Sequence, residues 1–108
     1  MGYTLRKKYK NPEGQLQLSI IKYCKIKGYT VGKTKTTGIF RKGKYFSDPH
    51  LFLGFPDLTV FTPTLVFVEV KSSKGVMSAS QKNFQELCKK ANIKYIVAKK
   101  LENVIQSI

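Results

Sequence analysis

The chain has 108 residues, 42% of them hydrophobic and 24% charged, which is the composition of a single globular domain with its own core. No apolar run reaches the roughly 18 residues of a membrane span. No apolar segment follows the basic residues 1–10, which argues against a secretory signal. Two cysteines, Cys24 and Cys88, lack the spacing of a zinc site and indicate a reducing, intracellular setting.

Positive charge is the strongest signal in the composition. Twenty lysines and arginines stand against six aspartates and glutamates, giving a net charge of +14. Residues 1–47 carry twelve of the basic residues and only one acid. Such a field attracts polyanions, so we expect a nucleic-acid partner rather than a membrane surface. The residues expected to contact the phosphate backbone are Arg6, Lys7, Lys8, Lys33, Lys35, Arg41, Lys42, Lys44 and Lys74.

In the N-terminal half, residues 1–10 are predicted to form a basic arm before a single domain over 11–108. Asn11-Pro12 is a typical helix start, and Gly28 is placed to end that helix. Its apolar stripe is Leu16, Ile20, Tyr23 and Cys24. A short strand is predicted at 29–31, and an irregular loop with at most one short strand at 32–47.

The C-terminal half alternates strands and helices. Strands are predicted at 57–62 and 65–71 around a tight turn at Pro63, the second apolar on both faces and therefore central in its sheet. A helix over 78–91, with apolar Phe84, Leu87, Cys88 and Ala91, precedes a strand at 93–98. A last helix is indicated by the helical spacing of Leu101, Val104, Ile105 and Ile108. The order α–β–β–β–α–β–α predicts an α/β (α+β) fold, a small mixed sheet flanked by helices.

Three charged residues of the predicted hairpin point to a site. With the turn centred on Pro63, Asp57 pairs directly with Glu69, and opposed side chains lie about 5 Å apart. Lys71 lies two residues after Glu69 and shares its face. Two close carboxylates beside a lysine suit a divalent cation and a phosphate. The alternatives are that Asp57 is an ordinary turn residue and that Glu69 and Lys71 form an ordinary ion pair on the solvent face of an edge strand.

The same residues carry a resemblance to a known family. The segments Gly54-Phe55-Pro56-Asp57-Leu58 and Phe67-Val68-Glu69-Val70-Lys71-Ser72, followed by Gln81, resemble the active-site signature of PD-(D/E)xK nucleases. More narrowly, they resemble the short, stand-alone form of the virus-type replication-repair nucleases, VRR-Nuc. The resemblance implies a restriction-endonuclease-like core and cleavage of DNA phosphodiesters with Mg²⁺ or Mn²⁺. It further implies a preference for branched DNA, as in homodimeric Holliday-junction resolvases.

Roles for individual residues follow from the resemblance. It implies that Asp57 and Glu69 are metal ligands, with the Val70 carbonyl as a further ligand and Glu13 as the acid of the first helix. The resemblance also implies that Lys71 is the catalytic lysine and that Gln81 is an accessory catalytic residue.

Other interpretations remain open for two of these residues and for the histidine. Glu13 is also explained by the dipole of its helix. Gln81 also completes a capping box with Ser78, and the two roles compete for one amide. His50 is expected to be an ordinary loop histidine.

The predicted function is a metal-dependent endodeoxyribonuclease that resolves branched DNA, in the cytoplasm of a bacterium or a phage-infected host. The alternatives are a non-catalytic basic DNA-binding protein and a nuclease for flaps, duplexes or single strands. A homodimer is expected because a four-way junction has two symmetric strands to cut. Its candidate surface is Ile39-Phe40, Tyr45-Phe46 and Leu51-Phe52-Leu53.

Overall fold

A computed structural model of the chain describes residues 11–35, 39–41, 44–46, 50 and 52–108. The predicted arm over residues 1–10 lies outside this range. The elements in chain order are α1 (Pro12–Ile26), β1 (Thr30–Lys33), β2 (Ile39–Arg41), β3 (Lys44–Phe46), β4 (Leu58–Phe61), β5 (Leu65–Val70), α2 (Ala79–Lys90), β6 (Lys94–Ala98) and α3 (Leu101–Ile105). Within the described ranges, none of these helices has the length and apolar character of a membrane span.

The main sheet has four strands in the order β1-β4-β5-β6. β4 and β5 form an antiparallel hairpin in which Leu58 pairs with Val68 and Val60 with Val66, the register predicted from a turn at Pro63. β6 runs parallel to β5 and is reached through α2, as a parallel pair requires. β5 is therefore the central strand of a mixed sheet, as predicted from its apolar sequence.

Helices cover the two faces of this sheet, and the alternation of β5 decides which side chains each face buries. Val66, Val68 and Val70 point to one face, where they pack with Ile20 of α1 and Val104 of α3. The opposite face holds a second cluster around α2, built from Phe67, Phe84 and Cys88, with Phe55 and Tyr95 packed against it. The rings of Phe67 and Phe84 meet edge to face at a centroid distance of 5.3 Å. This second face also carries the candidate site.

The predicted ends of α1 are confirmed. The side chain of Asn11 accepts a hydrogen bond from the N–H of Gly14. Gly28 follows the last helical residues with φ +83°, the left-handed conformation that ends many helices. Ile20 and Cys24 of the predicted stripe are fully buried.

Two sequence-based predictions are wrong. The segment 32–47 contains an antiparallel hairpin, β2–β3, where we expected a loop with at most one strand. Its apolar pairs lie on both sides of Gly43, which is the pattern of a hairpin. Leu87, Ala91 and Ile105 are exposed rather than buried, because α2 and α3 each present only a narrow row to the sheet.

Candidate functional site

Asp57 lies one residue before β4, and hydrogen bonds hold both its backbone carbonyl and its side chain. Its carbonyl oxygen accepts a hydrogen bond of 2.8 Å from the N–H of Thr34, beyond the last β1–β4 pair. Its carboxylate oxygen Oδ2 accepts one of 2.7 Å from the N–H of Val70 at the end of β5. The side chain is consequently held at the sheet and is only 5% exposed.

Glu69 lies inside β5 and is completely buried. Its Oε2 accepts a hydrogen bond of 3.1 Å from Nε2 of Gln81 and lies 3.4 Å from Nζ of Lys71. Its Oε1 is buried and receives no hydrogen bond from any donor of the described residues. A buried carboxylate oxygen without a donor costs free energy, and a bound cation would remove that cost.

The two carboxyl groups meet as the register predicts. Continuing the β4–β5 ladder by one residue pairs Asp57 with Glu69. The pKa of Glu69 is raised from 4.5 to about 7, first by burial and then by the negative charge of Asp57, against the lowering effect of Lys35 and Lys71.

Gln81 makes both of the contacts that the two predicted roles require, one with its own helix start and one with Glu69. Its Oε1 accepts from the N–H of Ser78 at 2.8 Å and completes the capping box of α2. Its Nε2 donates to Glu69 from the other end of the same amide. The two contacts therefore do not compete for the amide, because its oxygen accepts one hydrogen bond while its N–H₂ donates the other.

The loop before Asp57 is packed directly against the start of α2. Gly54 has φ +73°, and a Cβ atom there would lie 2.4 Å from the backbone carbon and oxygen of Ser80. Only glycine permits this approach. The contact couples the Asp57 loop to the helix turn that carries Gln81.

A second lysine stands at the site beside Lys71. Nζ of Lys35 lies 3.7 Å from Oδ1 of Asp57. The Lys35 side chain is 49% exposed and the Lys71 side chain only 13% exposed, so one ammonium group stands at the mouth and the other inside. From the sequence, Lys35 is predicted to contact only the DNA backbone, since nothing in its local sequence indicates contact with Asp57.

Glu13 does not join the carboxylate pair. Its Oε2 accepts a hydrogen bond of 3.2 Å from the N–H of Ser72, just beyond Lys71. In the part of the chain that the structure describes, no three acidic, histidine or cysteine side chains cluster together, so the candidate site has two carboxylates and no third. The N–H of Val70 donates a hydrogen bond to the Asp57 side chain. His50 is exposed.

The predicted DNA contacts are only partly described. Lys33 at the end of β1 and Lys74 in the turn after β5 are exposed. Arg41 and Lys44 are paired across β2 and β3. The positions that lie outside the described residues are Arg6, Lys7, Lys8 and Lys42.

The donors at the site fit a hard divalent cation. Asp57 and Glu69 offer carboxylate oxygens, the ligands that Mg²⁺ and Mn²⁺ prefer. The Glu69 oxygen without a donor supplies a vacant lone pair in a buried position. Burial and the negative charge of Asp57 raise the pKa of Glu69, and a bound cation would favour its charged form.

Two comparisons with known proteins match the chain to the same domain family. The sequence profile of the VRR-NUC domain matches residues 37–100 of the chain. A solved structure described as a VRR_NUC domain resembles this fold with a TM-score of 0.64 and 24% sequence identity, over 87% of this chain and 90% of that chain. No curated protein sequence matches. The profile covers more than half of the 108 residues, and the chain therefore belongs to the VRR-NUC family of nucleases, hydrolases that act on DNA.

Proposed function

We propose that this nuclease is a Mg²⁺- or Mn²⁺-dependent endodeoxyribonuclease whose active site is Asp57, Glu69, Lys71 and Gln81. The observation that carries the proposal is the pair of buried carboxyl groups, Asp57 and Glu69, with a lysine 3.4 Å from the second. A protein that only binds DNA has no use for two close acids, which repel both each other and the phosphate backbone.

The cation would be held by the Asp57 and Glu69 side chains, with the Val70 carbonyl as a further oxygen ligand. When bound, it supplies a Lewis acid that polarises the phosphodiester and offsets its negative charge. Glu13 holds the Ser72 N–H and so fixes the backbone just after Lys71. We propose that Glu13 supports the site through this hydrogen bond.

Lys71 provides the positive charge that phosphodiester hydrolysis needs on the protein side. Its ammonium group donates hydrogen bonds and can orient a water molecule or a phosphate oxygen, whose negative charge grows in the transition state. Gln81 fixes the Glu69 carboxylate through Oε2, so the ligand is oriented before substrate arrives. Exposed lysines such as Lys33 and Lys74 would bind the DNA backbone without reading its sequence.

For the substrate we propose branched DNA, cut by a homodimer. A two-fold dimer presents two sites and so matches the symmetry of a four-way junction. Exposed apolar residues support such an interface: Phe52 is 60% exposed and Leu53 is 71% exposed. We further propose a reducing, cytoplasmic setting, which the two free and buried cysteines, Cys24 and Cys88, support.

The test is cleavage of four-way junction, flap, duplex and single-stranded DNA in Mg²⁺, with and without EDTA. We expect paired nicks in the junction, and sedimentation at micromolar protein should give a dimer mass. Asp57→Asn should abolish cleavage and leave DNA binding intact, because it removes an acid and no basic residue. Glu86→Gln, an exposed change on α2, is the matched control. Cleavage by the Asp57→Asn protein at the wild-type rate would refute the site.

A further inference from the structure

Each carboxylate of the site has a lysine of its own, and the two lysines differ in how they are held. Lys71 is 13% exposed and lies against Glu69 beside the buried Gln81. Lys35 reaches Asp57 from a half-exposed position. Lysine side chains are flexible, so an exposed ammonium group can leave its partner at little cost.

Hydrogen bonds of Thr34, the residue before Lys35, attach this part of the chain to the segment that carries Asp57. Thr34 donates its N–H to the Asp57 carbonyl at 2.8 Å and its hydroxyl to the Pro56 carbonyl at 3.2 Å. The hydroxyl of Thr34 also shares a hydrogen bond of 2.8 Å with that of Thr59 on β4. These bonds continue the β1–β4 ladder past its last pair and fix the start of the Lys35 side chain next to Asp57.

The charge of Lys35 acts on both acids. Besides its contact with Asp57, it lowers the pKa of Glu69, as Lys71 also does, against the larger raising effects of burial and Asp57. An ammonium group 3.7 Å from the Asp57 carboxylate lies close to where a cation bound to Asp57 would lie. Since like charges repel, Lys35 and a divalent cation cannot occupy this place together.

We propose that Lys35 is a displaceable cation that occupies the metal position at Asp57 in the metal-free protein and, once displaced, binds a DNA phosphate at the mouth of the site. The inference rests on the proposed function, because it requires a metal ion at Asp57 and Glu69. Metal binding and phosphate binding are then coupled through one side chain: the cation releases the ammonium group that substrate uses.

The experiment measures Mn²⁺ binding to DNA-free protein by calorimetry, for the wild type, Lys35→Gln, Lys35→Arg and the control Lys22→Ala. Lys22 is exposed on α1, so its loss removes one positive charge away from the site. We expect Lys35→Gln to bind Mn²⁺ about tenfold more tightly than the control, because its competitor is gone. Lys35→Arg should bind as the wild type does. Melting curves establish that each variant is folded.

The second readout is cleavage kinetics. Lys35→Gln should raise KM for DNA several-fold more than Lys22→Ala does, with a smaller effect on kcat. Equal Mn²⁺ affinity in Lys35→Gln and Lys22→Ala would overturn the inference and leave the metal site standing. If the wild type bound no Mn²⁺, the metal site and the role of Lys35 would both be overturned, so the two failures are distinguishable.

Discussion

The side-chain amide of Gln81 lies 3.1 Å from Oε2 of Glu69 and at the same time closes the first turn of the helix that carries it. Capping of the helix and orientation of the Glu69 carboxylate therefore depend on the same side chain. Because the amide oxygen is held by the Ser78 N–H, the amide cannot flip, and its N–H₂ must face the carboxylate. The position of α2 thus determines how Glu69 is presented.

The raised pKa of Glu69 makes the stability of the metal-free protein depend on pH. Its carboxyl group titrates at about 7, against an ordinary value of 4.5, so the native state binds a proton more tightly than the unfolded state. The stabilisation is fully present below pH 4.5 and is lost as the pH rises through 7. Its size is on the order of 3 kcal/mol.

Glu69→Gln should remove this pH dependence and abolish cleavage. Urea unfolding in EDTA at pH 5 and pH 8 measures the slope, which we expect to flatten in the variant. At pH 8 the variant should be more stable than the wild type, because the neutral amide does not repel Asp57. The exposed Glu86→Gln is the control and should retain the wild-type slope. An unchanged slope in Glu69→Gln would contradict the assignment of the titrating group.

Gly54→Ala tests the contact between the Asp57 loop and α2. The added Cβ would lie 2.4 Å from the backbone of Ser80, so the helix start must move away and take Gln81 with it. The matched control is Gly28→Ala, which also has positive φ but no atom within 4 Å of the new Cβ. We expect the control to cost about 1 kcal/mol, the price of the left-handed backbone.

The Gly54 variant should cost at least about 2 kcal/mol more than the Gly28 variant, and it should also lose Mn²⁺ affinity, since Glu69 loses its orienting amide. Chemical denaturation and calorimetry measure the two effects. Equal losses of stability in both variants would show that the close approach of Gly54 to Ser80 does not affect the free energy of unfolding.

Tyr95→Phe should leave the fold as stable as the wild type or stabilise it by up to about 1 kcal/mol. The Tyr95 hydroxyl is buried and has no hydrogen-bond partner within the described residues. Burial, followed by the nearby Glu69 carboxyl group, raises its pKa, so it stays neutral at all working pH values. Tyr29→Phe is the contrasting variant, because that hydroxyl donates to the Ile108 carbonyl at 3.2 Å. It should lose about 1 kcal/mol. A larger loss in Tyr95→Phe than in Tyr29→Phe would refute the prediction.

Binding to DNA should weaken steeply with salt. A net charge of +14 on 108 residues implies several phosphate contacts, and each contributes a slope of about −0.9 to log affinity against log salt concentration. Binding titrations in EDTA measure the slope without cleavage. Lys33→Ala and Lys74→Ala should each make the slope shallower by about 0.9, the contribution of one phosphate contact. An affinity independent of salt would contradict the electrostatic origin of binding.

The sequence permits the acidic half of the site to be predicted, because that half depends on local geometry. One tight turn at Pro63 fixes the register, and the register pairs Asp57 with Glu69. The contacts of Lys35 with Asp57 and of Gly54 with Ser80 depend on how distant segments pack, and no local pattern encodes them. The metal role of Glu13 remains a prediction from family resemblance, although the structure places its side chain on Ser72.

The β4–β5 hairpin has a consequence for the order of folding. Its strands are joined by a turn of three residues, 62–64, whereas the connection from β5 to β6 includes the whole of α2. Short loops close at a lower entropy cost, so we expect Asp57 and Glu69 to meet before Gln81 arrives to hold one of them. Repulsion between the two acids then acts at an early folding step. We expect mild acid or a divalent cation to accelerate refolding itself, so the acids of the candidate site should also influence how fast the chain reaches its fold.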